Sequence, residues 1–332
     1  MKALVAALAL LLAAPAAARD FSPAEQAEVI RAAAALIEAR YVDPDKARAI
    51  AAELRRLARD RGAPMEGAAF ADAMTERFRA VSGDGHLGLS YSEAPLPEDG
   101  GEAQFSAAEM DKWYGPQVNH GVEKIERLAG NVMLLDLRVF PPVEMGADVF
   151  AAAMTVVAQG DALIVDLREN GGGAETADLL TGYLVEGDSP LTGSYDRPSD
   201  TRRYASSPVW VPGRRFGSDK PLYILTSRRT FSAAEAFAYN LQALGRATVV
   251  GEVTGGGAHP FAYRRVHPHF AVDLPEGKSI NPLTGTNWEG VGVQPDVPVP
   301  ADEALAKAIE LAREAIIELA DRLADQGMIV TP

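Results

Sequence analysis

The chain has 332 residues, a formal net charge of −14 from 32 basic and 46 acidic residues, and no cysteine. The absence of cysteine excludes disulfides, a lipoprotein anchor, a thiol nucleophile and zinc sites with cysteine ligands. The net negative charge argues against nucleic acid and anionic membranes as partners, because their phosphate groups repel an acidic protein at long range. Stability must therefore come from a buried apolar core, and the length suffices for one large or two smaller domains.

The first 18 residues have the pattern of a secretory signal peptide. Lys2 supplies the positive start, residues 3–14 form an apolar run, and residues 15–18 provide a small-residue cleavage site. An apolar run of about a dozen residues is too short to span a bilayer comfortably. We therefore expect cleavage after Ala18 and an exported protein, periplasmic or secreted, without an integral membrane segment.

Residues 19–89 have the spacing of three short helices. Ser22, Pro23 and Glu25 give the first helix a serine cap, a proline at its first position and a glutamate three residues after the cap. Apolar residues at helical spacing predict two further helices, over about 44–59 and 67–81. Short helices joined by tight turns predict a small antiparallel bundle as an N-terminal domain.

The sequence pattern changes at residue 90 and again at residue 121. Residues 90–120 contain several prolines and glycines without periodicity, which predicts a linker or long surface loop. Residues 121–332 alternate strands and helices, beginning with a hairpin of 122–128 and 132–140 and ending in an amphipathic helix over 301–325. Apolar strands between helices predict an α/β domain with a largely parallel sheet covered on both faces.

Ser232 lies in the predicted turn between an apolar strand over 222–225 and a helix. At the start of a helix the unpaired backbone N–H groups suit a nucleophile, because they can stabilise the oxyanion that its attack creates. The N–H group of Ala233 is the first such donor. The alternative interpretation is a helix cap, since Glu235 three residues later would complete a capping box.

A second turn, at Gly171, Gly172 and Gly173, follows a predicted buried strand over 162–168. Glycines adopt positive φ and let the backbone approach a ligand closely, so their N–H groups can bind an anion. The spacing matches neither the dinucleotide fingerprint nor the Walker pattern. This leaves a flexible turn, or an oxyanion hole completed by the N–H group of Ala233.

A serine nucleophile needs a base, and the imidazole of histidine has the right basicity. His86 lies in a glycine-rich turn in which Asp84 could orient its ring. His259, which follows a second triple glycine, is the alternative base or a substrate-binding residue. Glu289, in a glycine-flanked loop beside a tryptophan, could be the acid that orients the histidine. Each of these residues also fits a purely structural role in a turn.

His267 and His269 are separated by one residue, so on a strand they would share a face and could bind a metal ion. No carboxylate or cysteine lies at a convincing ligand spacing from them, and we predict neither a metal ion nor a cofactor. A metal-dependent hydrolase is the alternative that this pair leaves open, and a chelator would abolish its activity.

Taken together, these blocks resemble the tail-specific or C-terminal processing serine peptidases. The similarity lies closest to the branch without a PDZ domain that contains interphotoreceptor retinoid-binding protein and the core of the tricorn protease. It extends from about residue 22 to residue 311, and its most specific blocks are 166–173, 227–241, 251–260 and 287–296. The resemblance implies a crotonase-like (ClpP/crotonase-type) ββα core preceded by the three-helix domain.

The resemblance also implies roles for individual residues. Ser232 falls on the nucleophile, His86 on the base and Glu289 on the acid that orients it. The oxyanion-hole donors that it implies are the N–H groups of Ala233 and of Gly172 or Gly173.

The chain departs from the family pattern at two of these positions. Many relatives use a lysine base 25 residues after the serine, and this chain has Gly257 there. The tricorn pattern has a serine before the histidine, and this chain has Gly85. A serine–lysine dyad is therefore unavailable, and the resemblance implies the tricorn-like arrangement with His86 as the base.

The predicted function is an exported serine peptidase that acts on peptides or unfolded protein segments. Arg228 or Arg229 could hold an acidic or C-terminal carboxylate, since a guanidinium binds one bidentately; solvated surface arginines are the alternative. The rival function is a binding protein for a hydrophobic small molecule, with Trp113 and Tyr114 lining an apolar pocket. Nothing in the sequence specifies the oligomeric state.

Overall fold

The computed structural model describes residues 19–59, 62–97 and 107–325. The predicted signal peptide lies outside these residues. In chain order the α-helices are α1 Pro23–Arg40, α2 Pro44–Leu57, α3 Gly67–Ser82, α4 Ala107–Tyr114, α5 Val143–Val157, α6 Thr176–Thr181, α7 Ala233–Ala243 and α8 Ala304–Asp325. The strands are β1 Asp20–Phe21, β2 Met65–Glu66, β3 Gly88–Tyr91, β4 Val122–Leu128, β5 Val132–Leu137, β6 Ala162–Asp166, β7 Pro190–Asp196, β8 Thr201–Ser206, β9 Leu222–Thr226, β10 Thr248–Gly251, β11 Phe261–His267, β12 Phe270–Pro275, β13 Gly277–Ile280 and β14 Val297–Pro298.

A six-stranded sheet in the order β14-β10-β9-β6-β5-β4 forms the centre of the molecule. Neighbouring strands from β5 to β14 run parallel, and β4 is antiparallel because it forms a hairpin with β5. Every residue of β6 and β9 is buried, as expected for strands covered on both faces. The prediction of an α/β fold with a largely parallel sheet is confirmed, and so is the hairpin.

Helices cover both faces of this sheet. On one face, α5, α6 and α7 enclose a core that includes Phe140, Phe150 and Phe237. On the other, α8 packs through alanines spaced four residues apart, from Ala304 to Ala312. None of the described helices combines the length and the apolarity that a membrane crossing requires.

The parallel pairing of β6 with β9 brings two sequence-distant turns together. Asp166 and Leu225, near the ends of these strands, are directly paired, so the chain leaves both strands at the same edge of the sheet. Beyond the strands, the Phe231 N–H donates to the Asn170 carbonyl at 3.1 Å. The triple-glycine turn and the turn that carries Ser232 are therefore neighbours.

A further apolar core joins the N-terminal helices to strands from the second half of the chain. Helices α1, α2 and α3 pack on the sheet β11-β12-β3, in which β3 and β12 are antiparallel with Leu89 opposite Val272. Because the turn between α3 and β3 is fixed against β11 and β12, residues 83–87 approach the central domain. This packing brings the ring of His86 against that of Phe231, the residue before Ser232.

The structure differs from the sequence prediction within residues 90–120. Strand β3 extends to Tyr91, residues 107–114 form helix α4, and a 3₁₀ helix spans Pro116–Gly121. The α4 sequence holds strong helix formers such as Ala107, Met110 and Lys112, but at eight residues it is too short to show clear periodicity. The prolines and glycines on either side of it are typical of a loop.

Candidate active site

Ser232 occupies a strained turn between β9 and α7. Its φ is 53° and its ψ is −119°, a backbone conformation that residues other than glycine rarely adopt. The Ser232 N–H donates to Glu235 Oε2 at 2.8 Å, one of the two bonds of the predicted capping box. Ser232 therefore begins the helix, as the sequence predicts, and its strained backbone distinguishes it from an ordinary cap.

The triple-glycine turn packs directly against Ser232. A Cβ atom added to Gly172 would lie 2.7 Å from Ser232 Cβ and 3.0 Å from the Ala233 nitrogen. Gly172 and Gly173 have φ values of 106° and 131°, which favour glycine. The structure thus brings these two glycines and Ala233 together around the serine.

The backbone N–H groups around Ser232 differ in their hydrogen bonds. The Gly172 N–H donates to Asn170 Oδ1 at 2.8 Å, whereas those of Gly173 and Ala233 donate to no group in the described part of the chain. Asn170 is fully buried, and its Nδ2 also donates to the Leu137 carbonyl. Sequence reasoning missed Asn170, although its position directly before the glycines was a usable signal.

A cavity of about 560 Å³ opens beside Ser232. It is lined by residues from the N-terminal part of the chain, from the turns that follow the central strands and from helix α4. Its lining includes His86, Met110, Tyr114, Gly173, Ser232, Ala233, His259, Phe261, Ser279 and Trp288. Both candidate histidines therefore share one cavity with the candidate nucleophile.

His86 sits in an aromatic environment within this cavity. Its ring centroid is 4.7 Å from that of Phe231 and 5.3 Å from that of Phe261. Its Nδ1 is buried and has no hydrogen-bond partner among the described residues. Burial lowers the pKa of His86 to about 4, so the imidazole is neutral near pH 7.

His259 has two carboxylates beside its Nδ1. Asp84 Oδ2 lies 2.7 Å away and Glu289 Oε2 3.7 Å away. The predicted pairing of Glu289 with His86 is therefore not the contact found, because Glu289 accepts the Ala258 N–H at 2.6 Å and is held beside His259. Asp84, which was predicted to orient His86, contacts that residue through the His86 backbone N–H at 2.9 Å.

Gly257 lies where a side chain would collide with two aromatic rings. A Cβ atom there would lie 2.2 Å from Phe231 Cζ and 2.7 Å from His86 Cε1, distances that would force both rings to move. The rings of His86 and Phe231 occupy the space that a side chain at residue 257 would enter. The histidine arrangement and a lysine at this position are therefore sterically incompatible.

We expect Gly257→Ala to destabilise the protein by about 1–3 kcal/mol, because the added methyl group overpacks the aromatic cluster. Urea unfolding gives this change directly. Gly171→Ala is the matched control, since a Cβ atom there meets no atom within 4 Å and its φ is not positive. Equal stabilities of the two variants would contradict the steric explanation.

Glu235 is a residue whose importance the sequence did not reveal. It is fully buried, and its carboxylate accepts the N–H groups of Ser232, Gly256 and Gly257 and the hydroxyl of Thr254. Burial raises the pKa of Glu235, and these hydrogen bonds oppose the rise. The glutamate thus ties the nucleophile turn to the loop that carries His259, whereas its spacing from the serine suggested only a helix cap.

The predicted substrate-binding arginines lie elsewhere. Arg229 forms an ion pair with Glu169 and its side chain is 73% exposed, and neither arginine lines the cavity. The backbone N–H of Arg228 approaches the Glu252 carboxylate at 3.4 Å. The alternative interpretation, solvated surface arginines, fits this geometry better.

The histidine pair predicted from the sequence does not share a strand face. His267 ends β11 and His269 lies in the following turn, where its N–H donates to His267 Nδ1 at 3.2 Å. The described residues that could hold a metal ion are instead Asp84, His259 and Glu289, whose donor atoms all lie within 4.8 Å of one another. The hydrogen bond between Asp84 and His259 already pairs two of these donors.

Comparison with known proteins identifies the family. Residues 133–299, half of the chain, match Peptidase family S41. A lipoprotein from Streptococcus agalactiae shares 15% identity over 87% of this chain and 96% of its own, with a TM-score of 0.59. The photosystem II D1 C-terminal processing protease shares 16% identity over 88% and 98%, with a TM-score of 0.52. A protein of Parabacteroides merdae described as a candidate peptidase shares 21% over 91% and 96%, with a TM-score of 0.55.

At these identities the solved structures establish a similar fold, and the family match establishes the membership. It agrees with the resemblance drawn from the motifs around Ser232 and Gly172. The chain therefore belongs to peptidase family S41, the serine-type peptidase family that its motifs predict.

Proposed function

We propose that this chain is an exported serine peptidase that hydrolyses peptide bonds in peptides or unstructured protein segments. Membership in family S41 implies a peptide or protein substrate. Serine catalysis rests chiefly on one observation: Ser232 stands in a strained turn at the start of α7, on a cavity. A residue held in a rare backbone conformation beside a cavity is typical of a functional site.

The backbone around Ser232 suits the stabilisation of an oxyanion. When Ser232 Oγ attacks a carbonyl carbon, the N–H groups of Ala233 and Gly173 have no other acceptor among the described residues and are available to the oxyanion. Of the two glycines predicted as the second donor, Gly173 fits this role because the Gly172 N–H is bound to Asn170. Gly172 forms the wall against which the serine packs.

A histidine of the cavity takes the proton from Ser232. The family resemblance predicts His86 for this role, with Glu289 as its acid. The neutral imidazole of His86 is consistent with it, whereas Glu289 lies beside His259. The base is therefore one of two histidines in the same cavity, and no lysine is required.

The finer features of the organisation are also proposals. We assign a crotonase-like core to residues 121–332, an N-terminal helical domain to residues 19–89 and a connecting segment to residues 90–120. Export to the periplasm or the medium rests on the signal-peptide pattern of residues 1–18.

Binding of a hydrophobic small molecule is the second candidate function. A volume of about 560 Å³ lies in the range of small-molecule pockets. The α4 residues Met110 and Tyr114, together with Phe261 and Trp288, give part of its wall an apolar character. Trp113, predicted to line such a pocket, is not among the lining residues.

The test is intact-mass analysis after treatment with a fluorophosphonate, which labels activated serines. We expect one adduct on the wild-type protein and none on Ser232→Ala, because the hydroxyl that reacts is gone. Ser279→Ala is the matched control, since Ser279 lines the same cavity, and it should retain the adduct. An unlabelled wild-type protein would favour the binding protein instead.

A further inference from the structure

The three-stranded sheet β13-β7-β8 has one open edge. At its other edge β13 is connected to the site loops, because the Ser279 N–H donates to the Ala258 carbonyl at 3.0 Å. Strand β8 pairs with β7 alone, and within the described residues its backbone groups that point away from β7 have no hydrogen-bond partner. All of its residues except Ala205 are exposed. An exposed edge strand is a template for pairing with another extended chain.

Strand β8 is basic, although the formal net charge of the protein is −14. Arg202 and Arg203 lie in its middle, and it contains no acidic residue. Neither arginine forms an ion pair within the part of the chain that the structure describes. Two carboxylates near the hairpin turn have other partners: Asp196 accepts hydrogen bonds from the turn, and Asp200 accepts the Tyr195 hydroxyl at 3.0 Å. The two guanidinium groups are therefore available to an acidic partner.

One face of this sheet leads from β8 to the cavity beside Ser232. Successive side chains of a strand alternate between the two faces, so Arg202 and Arg203 lie on opposite faces. Arg203 is paired with Ser194 of β7, and Ser194 is paired with Ser279 of β13. Ser279 lines the cavity. Because neighbouring strands lie about 4.8 Å apart, a strand added to β8 would lie about 14 Å from β13.

We propose that β8 binds an extended, acidic segment of a polypeptide substrate as an additional strand. The proposal rests on the peptidase function proposed above, because that function makes the bound polypeptide a substrate. Backbone hydrogen bonds to β8 provide the pairing. Two consecutive acidic residues of the added strand would face opposite sides and place one carboxylate beside each of Arg202 and Arg203, which bind carboxylates bidentately. The segment is then held next to the cavity, while a more distant part of the same chain enters it.

The residues around the two arginines favour apolar neighbours of the acidic pair. Tyr204 of β8 is 86% exposed, and Val209 and Trp210, just beyond the end of the strand, are each 75% exposed. These are the most exposed large apolar side chains in the described part of the protein. Tyrosine and tryptophan are enriched at protein interfaces. We therefore expect the bound segment to combine acidic residues with apolar ones.

A second copy of the chain fits this edge less well than an acidic segment. Antiparallel pairing of β8 with itself would bring Arg202 and Arg203 of one copy beside those of the other, and like charges on paired strands are destabilising. An acidic segment brings opposite charges together instead. The negative charge on the rest of the protein opposes this contact little, because salt screens exposed charges beyond about 8 Å at physiological ionic strength.

The test measures the fluorescence anisotropy of a fluorescein-labelled peptide with the Ser232→Ala protein, in which the proposed nucleophile is absent. The peptide alternates threonine and valine and has two adjacent glutamates at its centre. Arg202→Glu and Arg203→Glu, each added to this protein, should weaken binding by about tenfold, because an attractive cross-strand pair becomes a repulsive one. Arg313→Glu makes the same change of charge at an exposed position of α8, and as the matched control it should bind like the parent protein.

Two further peptides separate strand addition from simple charge attraction. The same peptide with an N-methylated backbone lacks the donors for strand pairing and should not bind, and neither should one with two lysines in place of the glutamates. Equal binding of the N-methylated peptide, or of the Arg203→Glu and Arg313→Glu proteins, would overturn the proposal. So would a dimer, detected by light scattering, that forms through β8 and excludes the peptide. A peptide that binds but that the wild-type protein does not hydrolyse would instead contradict the peptidase function, so the two failures are distinguishable.

Discussion

Ser232→Gly is expected to abolish peptide hydrolysis and, at the same time, to make the protein more stable. The φ of 53° and ψ of −119° at Ser232 cost about 1–3 kcal/mol for a residue with a Cβ atom. Glycine adopts this conformation without strain but loses about 0.5–1 kcal/mol through the greater freedom of its unfolded chain. The net gain in the free energy of unfolding should be about 1 kcal/mol. The variant has no hydroxyl, so no nucleophile remains.

Urea unfolding of Ser232→Gly and Ser232→Ala measures this effect. Alanine also removes the nucleophile but keeps the Cβ atom, so Ser232→Ala should be inactive without the gain in stability. The comparison thus separates the loss of the hydroxyl from the relief of backbone strain. If the two variants were equally stable, the turn would not be strained, and the main observation behind the proposed nucleophile would be weakened.

Local sequence patterns were sufficient to predict the central architecture. The apolar runs that became β6 and β9, and the alternation of strands with helices, predicted a largely parallel sheet. In such a sheet the turns after neighbouring strands meet at one edge. The proximity of Gly172 and Gly173 to Ser232 could therefore be predicted from the sequence alone.

The acid–base part of the site could not be predicted in the same way. His86 and His259 are 173 positions apart, and they meet because β3 pairs with β12. Strand pairing over such a separation leaves no local pattern. The sequence identified both histidines and both acids, yet it paired Glu289 with His86 whereas the structure pairs Asp84 with His259.

The Asp84–His259 pair connects two parts of the chain. Ser232, the proposed nucleophile, and Ala233 and Gly173, the proposed oxyanion donors, lie in turns that follow strands of the central sheet, whereas Asp84 and Tyr41 belong to the N-terminal part of the chain. The N-terminal helices and strands β11 and β12 share one apolar core. The orientation of His259 therefore depends on the packing of that core, and displacement of the N-terminal part would separate Asp84 from His259.

Glu235→Gln should lower both stability and activity, because the Glu235 carboxylate holds the nucleophile turn and the His259 loop together. Three backbone N–H groups and one hydroxyl donate to its two oxygens. A glutamine offers one oxygen and one NH₂ group, so at least one buried N–H would face another donor. Each unsatisfied buried group costs about 1–3 kcal/mol, and we expect the free energy of unfolding to fall by about 2–4 kcal/mol.

Glu25→Gln is the matched control for this variant. Glu25 occupies the same place in the capping box of α1, where it accepts the N–H and the hydroxyl of Ser22, but its side chain is 33% exposed. Water can replace the lost hydrogen bonds there, so the free energy of unfolding should fall by only about 1 kcal/mol. Urea unfolding and the rate of Ser232 labelling should both change much more in Glu235→Gln. Similar values for the two variants would mean that Glu235 acts only as a helix cap, and the two loops of the site would then need another connection.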